Sequence, residues 1–229
     1  MKVLAIDTTN YVLGIALVDE GNVIGEYITN LKKNHSVRAM PAIDRLLSDC
    51  DVTPQQLDKI VVATGPGSYT GVRIGVSIAK TMAWSLKIPI VGVSSLEVLA
   101  ANGRYFNGFI SPIFDARRGQ VYTGLYQYAN GGLVTIKNDQ NLLLADWLKI
   151  LEDKKERVLF VGNDVVIHKE TIVSTLGDMG EFGQVTLNNP RPSELGLIGL
   201  TKEASDVHSL VPNYIRLAEA EAKWLEQQK

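Results

Sequence analysis

Apolar and polar positions divide the chain into two passes through one order of elements. Residues 3–6 form a continuous apolar run that ends in Asp7-Thr8-Thr9-Asn10, and residues 12–18 and 23–28 are two further strand-like runs joined by Glu20-Gly21-Asn22. Asn34 is placed to cap a helix over 35–49. Val37, Met40, Asp44 and Leu47 line one face of it and Ala39, Ile43 and Leu46 another, an apolar arc wide enough to predict cover on more than one side. The β-branched run 59–63 reads as a buried strand, a long segment to Lys87 has helical spacing and is stopped by Pro89, and 90–93 is a short strand. Ser94 or Ser95 caps a helix to about Ala101, so the first pass is βββαβαβα. Asn102-Gly103 and Asn107-Gly108 bracket a hinge. The second pass has strands at 109–114, 120–126, 132–136 and 158–161 and helices at 144–151, 165–176 and 193–204; its first strand also ends in an aspartate, Asp115. Val211-Pro212-Asn213-Tyr214 leads into a polar helical tail, 217–228. The predicted organisation is a first lobe over 1–103, a smaller second lobe over 104–210 and a tail over 211–229. The repetition is one of pattern, without a repeated sequence.

The stretch between strand 59–63 and the following helix organises the first lobe: Thr64-Gly65-Pro66-Gly67-Ser68-Tyr69-Thr70-Gly71-Val72-Arg73-Ile74-Gly75. Gly65 and Gly67 can take positive φ, Pro66 stiffens the turn, and Thr70 is a candidate N-cap. Such a turn aims backbone N–H groups and a positive helix end outward, which suits an anion. It lacks the Gly-Lys-Ser/Thr ending of a P-loop and the spacing of a dinucleotide fold. Gly71, Gly75, Ala79 and Ala83 fall four apart, with Arg73 and Met82 beside them. That flat stripe either packs on the chain's own sheet or lets another subunit approach closely.

Bulk properties narrow the field. A chain of 229 residues can bury a substantial core, and a net charge of -2 provides no global field toward nucleic acid or membrane. The single cysteine, Cys50, excludes an internal disulfide and a cysteine metal cluster, and fits a reducing compartment and a small core residue. No apolar run reaches membrane-spanning length and the N-terminus enters directly into a strand, so the expectation is a soluble cytoplasmic protein without a membrane partner.

Two βββαβαβα lobes, each opening on a strand that ends in Asp, resemble the actin–hexokinase–Hsp70 superfamily. More specifically, the chain resembles the TsaB (YeaZ) family of tRNA threonylcarbamoyladenosine biosynthesis proteins. The matching residues are Ile6-Asp7-Thr8-Thr9, His35 to Pro41 with Leu46-Leu47, the block Gly65 to Gly75, Asp115-Ala116-Arg117-Arg118-Gly119 with Val121-Tyr122, and Pro212-Asn213-Tyr214 with Arg216 and Glu219-Ala220-Glu221. The resemblance implies a non-catalytic subunit that binds the sister protein TsaD, which carries the chemistry, and the ATPase TsaE, and that meets tRNA through the complex. It also evokes the older grouping with glycoprotease-like M22 peptidases.

The residues themselves weigh against an independent enzyme. Nucleotide-using relatives read Asp-x-Gly in the first hairpin, where glycine lets backbone close around phosphate; here Thr9 takes that place. Asp7, Thr8, Thr9, Gly65, Pro66, Gly67, Ser68 and Asp115 are therefore expected to be a degenerate nucleotide site, with Asp7 and Asp115 at positions that bind water and magnesium in active relatives. Arg117 and Arg118 replace the small residues of the second hairpin; they are candidate contacts to phosphate or RNA, or a solvated turn. The sister family's metal-binding histidines correspond to Ser95 and Leu99, and Leu99 cannot ligate. His35 starts a helix, and His168 and His208 read as surface residues. Ser68 lacks the Gly-x-Ser-x-Gly elbow, and Cys50 lacks an evident base. The expected partner interface is His35, Met40, Asp44, Leu47, Gly71, Arg73, Gly75, Ala79, Met82 and Ala83, pairing with the same helices of a sister protein, or of a second copy when the chain is alone. No tightly bound cofactor is expected, with ATP or ADP and Mg placed at the interface of the full complex. The alternatives are an ATP-dependent phosphotransferase or hydrolase using Asp7, Asp115 and the glycine-rich turn, or a peptidase.

Overall fold

Strands β1 (Val3–Asp7), β2 (Val12–Val18) and β3 (Val23–Asn30) form an antiparallel meander in the computed structural model, which describes residues 1–215. The tail predicted over 217–228, with Arg216 and Glu219-Ala220-Glu221, lies outside the described residues. β4 (Lys59–Ala63) pairs parallel with β1, and β5 (Ile90–Val93) parallel with β4, giving the order β3-β2-β1-β4-β5. The second pass repeats it. β6 (Phe109–Asp115), β7 (Gln120–Ala129) and β8 (Gly132–Leu143) are the meander, and β9 (Val158–Val161) and β10 (Gly180–Phe182) add in parallel to give β10-β9-β6-β7-β8. These are two actin-like lobes, each built on a five-stranded mixed sheet.

The first sheet is covered on both faces, which is why β1 and β4 read as unbroken apolar runs. Leu4, Ile6, Leu13, Ile15 and Leu17 face helices α1 (Ala39–Asp49) and α2 (Tyr69–Leu86), while Val3, Ala5, Ala16 and Val18 face the opposite side. That opposite side meets α3 (Ser95–Ala100) through Val98 and α6 (Pro192–Thr201) through Leu195. In the second lobe α4 (Leu144–Glu152) and α5 (Val165–Leu176) pack on Ile113, Val121, Leu125 and Phe160 around the buried Trp147.

Several boundaries differ from the sequence expectation. The first helix starts at Ala39, because Asn34 caps a separate 3-10 turn, His35–Val37. β8 continues to Leu143, beyond the expected residue 136, since its polar second half (Lys137 to Asn141) pairs with β7 near the sheet edge. β10 is three residues of mixed polarity and carries no periodic signal. Most consequential is α6, which the sequence order groups with residues 104–210 but which packs on the first sheet. Gly196 and Gly199 permit this, because a Cβ at either would press on Val18 or Val61. Glu26 anchors the start of that helix by accepting from the Ser193 N–H (3.0 Å) and hydroxyl (2.6 Å) and from Arg191.

Candidate functional site

The glycine-rich turn joins β4 to α2 and is closed against the β1–β2 hairpin. Ser68, and not Thr70, caps α2: its hydroxyl accepts from the Gly71 N–H at 3.2 Å. Of the two glycines able to take positive φ, Gly65 does so, at 100°. Gly67 is required for another reason, since a Cβ there would overlap the Thr9 carbonyl oxygen. The Ser68 N–H donates to that same oxygen at 2.6 Å. One turn on, Thr8 Oγ1 donates to the Gly71 carbonyl at 2.7 Å, and a Cβ on Gly71 would overlap the Thr8 carbonyl. A Cβ on Gly75 would lie 2.5 Å from Thr8 Oγ1. Ala79 and Ala83 are buried on the sheet. The stripe Gly71, Gly75, Ala79 and Ala83 therefore packs within the chain and is not a partner surface. What it admits is the chain's own hairpin backbone.

Thr9, standing where a phosphate-binding hairpin has glycine, is folded inward. Its N–H (2.8 Å) and hydroxyl (2.7 Å) both donate to Asp7 Oδ1. Asp7 is buried, its Oδ2 lacks a hydrogen-bond partner among the described residues, and burial pushes its carboxyl above the ordinary range. His35 is buried beside it, with Nε2 2.7 Å from the Asn10 carbonyl, which assigns the proton to that nitrogen. A nucleotide phosphate between hairpin and turn would have to displace the Ser68–Thr9 and Thr8–Gly71 bonds, so the residues present do not fit that group. Ser95 and Leu99 are structural as well. Ser95 Oγ accepts from the Gly65 N–H at 3.1 Å, and Leu99 packs between the lobes.

The second hairpin is built differently. Arg117, Arg118 and Gly119 all have positive φ, at 65°, 55° and 73°, and form an exposed tip closed by the Gln120 N–H on the Arg117 carbonyl at 3.0 Å. Asp115 Oδ1 lies 3.1 Å from His168 Nε2, and the Asp115 N–H donates to Asp164 at 2.9 Å. His168 is thus a buried partner of Asp115 and not a surface residue, because α5 turns it back toward the end of β6; His208 is exposed. Burial, reinforced by the Asp115 charge, holds the Asp164 carboxyl above its usual range. Among the described residues no group of three or more His, Cys, Asp or Glu is placed to hold a metal ion.

The structure also adds a strap that local patterning does not announce. Residues 205–215 run back along α2. Ser205 bridges Ile90, Lys80 Nζ donates to the carbonyls of His208 (3.0 Å) and Leu210 (2.8 Å), and the Asn213 N–H donates to Thr64 at 2.7 Å. Arg73 Nε donates to the Tyr214 hydroxyl at 2.5 Å. Pro212-Asn213-Tyr214 therefore secures the glycine-rich turn from outside, and Arg73 belongs to that seal.

Of the expected interface residues, Leu47 is 4% exposed because α1 turns it toward the sheet, and His35 is buried because the 3-10 turn sets its ring against the Asn10 carbonyl. Met40 is 46% exposed and Asp44 is exposed, next to Val37 at 69%. On α2, Met82 is half-buried with Ile74 and Ile78, and Trp84 is 65% exposed. An apolar outer face thus remains on these two helices after the stripe is removed from it.

Comparison with known proteins agrees with this frame. Residues 22–224 match the family model TsaD: tRNA N6-adenosine threonylcarbamoyltransferase. The tRNA threonylcarbamoyladenosine biosynthesis protein TsaB of Bacillus subtilis is 67% identical over 229 residues, covering 100% of both chains. TsaB of Buchnera aphidicola (subsp. Schizaphis graminum) is 34% identical over 70% of this chain and 78% of its own. YeaZ from Pseudomonas aeruginosa has the same fold, with a TM-score of 0.77 at 23% identity over 93% of this chain and 99% of that one. The ethanolamine utilization protein EutJ from Carboxydothermus hydrogenoformans shares the fold more distantly, with a TM-score of 0.52 at 11% identity over 87% of this chain and 90% of its own. By its full-length likeness to the Bacillus subtilis protein, the chain belongs to the TsaB family of tRNA threonylcarbamoyladenosine biosynthesis proteins.

Proposed function

We propose that the chain is a non-catalytic subunit required for threonylcarbamoyl transfer to the adenosine beside the anticodon of tRNA. It acts by binding and activating a TsaD-type catalytic sister together with a TsaE-type ATPase. The observation that carries this reading is the closure of the glycine-rich turn on the first hairpin: Ser68 donates to Thr9 and Thr8 to Gly71 where a nucleotide-using relative would need room for phosphate. The exposed Val37, Met40 and Asp44 of the 3-10 turn and α1, with the half-buried Ile74, Ile78 and Met82 of α2, support a partner face that is no longer centred on the glycine stripe. A second copy of the chain uses the same face when no sister is present. The isolated chain holds no nucleotide tightly, and ATP or ADP with Mg sits at the interface of the full complex. The complex works in the cytoplasm; among the described residues no helix is long and apolar enough to cross a membrane.

Reconstitution tests the reading. The chain, the sister enzyme and the ATPase are purified, and transfer from threonylcarbamoyl-adenylate to tRNA is measured with each omitted in turn. Loss of transfer without this chain, with no transfer by this chain alone, is the expected result. Turnover by the chain alone would return Asp7 and Asp115 to the catalytic role.

A further inference from the structure

A band of planar side chains lies beside the glycine-rich turn, outside the closed hairpin. The rings of Tyr69 and Tyr214 are 5.2 Å apart at an interplanar angle of 31°. The Arg73 guanidinium lies 4.0 Å from the Tyr69 ring centroid and 5.6 Å from that of Tyr214. All three residues are exposed. Tyr122 of the second lobe lines the same recess, with Pro66 and Gly67 at its floor. Tyr122 pairs with Phe114 on the β6–β7 hairpin, whose tip, a few residues further along, presents Arg117 and Arg118. The band therefore runs from the first lobe to the second.

Two features set it apart from ordinary surface. The strap is also tied by Asn213 to Thr64 and by Lys80 to His208 and Leu210, so the exposed stack is not its sole anchor. Arg117 and Arg118 both occupy the left-handed region, where non-glycine residues cost about 1–3 kcal/mol each. The tip thus carries two long cations at positions where glycine or asparagine would be less strained. In a chain of net charge -2, this concentration of arginine is local.

Aromatic and guanidinium planes next to phosphate-pairing arginines are the chemistry that recognises unpaired nucleotides: bases stack on the planes and arginines take the backbone. We propose that this band binds single-stranded RNA, with Tyr69, Arg73 and Tyr214 as the stacking platform and Arg117 and Arg118 as phosphate contacts. The identification of that RNA as the anticodon loop of tRNA rests on the function proposed above.

The test is fluorescence anisotropy of the full chain with a labelled anticodon stem–loop RNA, between about 50 and 200 mM salt. A fully paired RNA duplex serves as the control. The stem–loop is expected to bind more tightly than the duplex. The double variant R117A/R118A should weaken binding and reduce the salt slope by about 1.4, two phosphate contacts at ~0.7 each. Tyr69→Ala should weaken binding roughly tenfold or more with the slope unchanged. Lys154→Ala, at an exposed cation beside Phe109 at the opposite end of β6 from the tip, should stay near the parent, and circular dichroism melts confirm that each variant is folded. Absence of binding at low salt, equal affinity for the duplex, or indifference to the arginine and Tyr69 changes would each overturn the proposal. The reconstituted transfer assay separates the two readings: a chain required for transfer that does not bind RNA loses the band and keeps the subunit role, and a chain that binds RNA but is dispensable for transfer does the reverse.

Discussion

Gly67 and Gly71 carry the closed turn, and their requirement is distance, not φ. Each faces a carbonyl oxygen of the β1–β2 hairpin that a Cβ would overlap, and backbone on both sides leaves no flexible atom to yield. Gly67→Ala and Gly71→Ala should each destabilise the fold by about 3 kcal/mol or more, near the upper end of overpacking effects, whereas Gly21→Ala, with open space around it, should be close to neutral. Urea unfolding monitored by tryptophan fluorescence would read the difference. Asp7 supplies a pH prediction. Its carboxyl titrates above the ordinary value because it is buried, so the folded chain binds that proton more tightly than the unfolded chain. Its contribution to stability is fullest below the ordinary carboxylate range and is lost as pH rises through the folded-state value. Asp7→Asn retains an Oδ1 to accept both bonds from Thr9. It should flatten the stability profile on the acid side and leave the protein no less stable than the parent at neutral pH, as denaturant titrations across that range would show.

Helix α2 joins the closed turn to the partner face. Ser68→Ala removes its N-cap and should cost about 1 kcal/mol without altering the fold, measurable by thermal unfolding. Met40 stands on the exposed side of α1, so Met40→Arg should leave the melting temperature near that of the parent and reduce sister-protein capture at least tenfold in a pull-down titration. The strands of the first sheet were legible because burial on both faces makes their apolar runs continuous. β10 and the outer half of β8 were not, since short or polar edge segments lack a period to detect. Residue type alone points to Asn34 and to Ser94 or Ser95 as caps; Asn34 caps the 3-10 turn and not α1, Ser94 is the one that caps α3, and Ser68 rather than Thr70 caps α2.

The two lobes meet through α3, which belongs to both cores. Val98 packs with the first sheet, while Leu96, Leu99 and Ala100 pack with Ile110, Phe114, Tyr126 and Val161 of the second. Beside it, the carboxylate of Asp139 accepts from the hydroxyls of Ser94 and Tyr126, joining β5 to β8 across the lobes. Leu99→Ala should cost about 2–5 kcal/mol and lower the cooperativity of unfolding as the lobes uncouple, visible as separate transitions in calorimetry.

Local spacing determined the doubled order of strands and helices, and the motifs that place the chain in its family, because both are properties of neighbours along the backbone. Spacing also identified the glycine stripe, but not which surface fills it. Only the tertiary path decided that Thr8 and the chain's own sheet fill it, that α6 returns to the first sheet, that His168 meets Asp115, and that Arg73 is held by Tyr214 across 141 residues of sequence. Each of those contacts joins residues with no common period. Steric fit and the need to satisfy buried polar groups select them once the chain has folded back on itself.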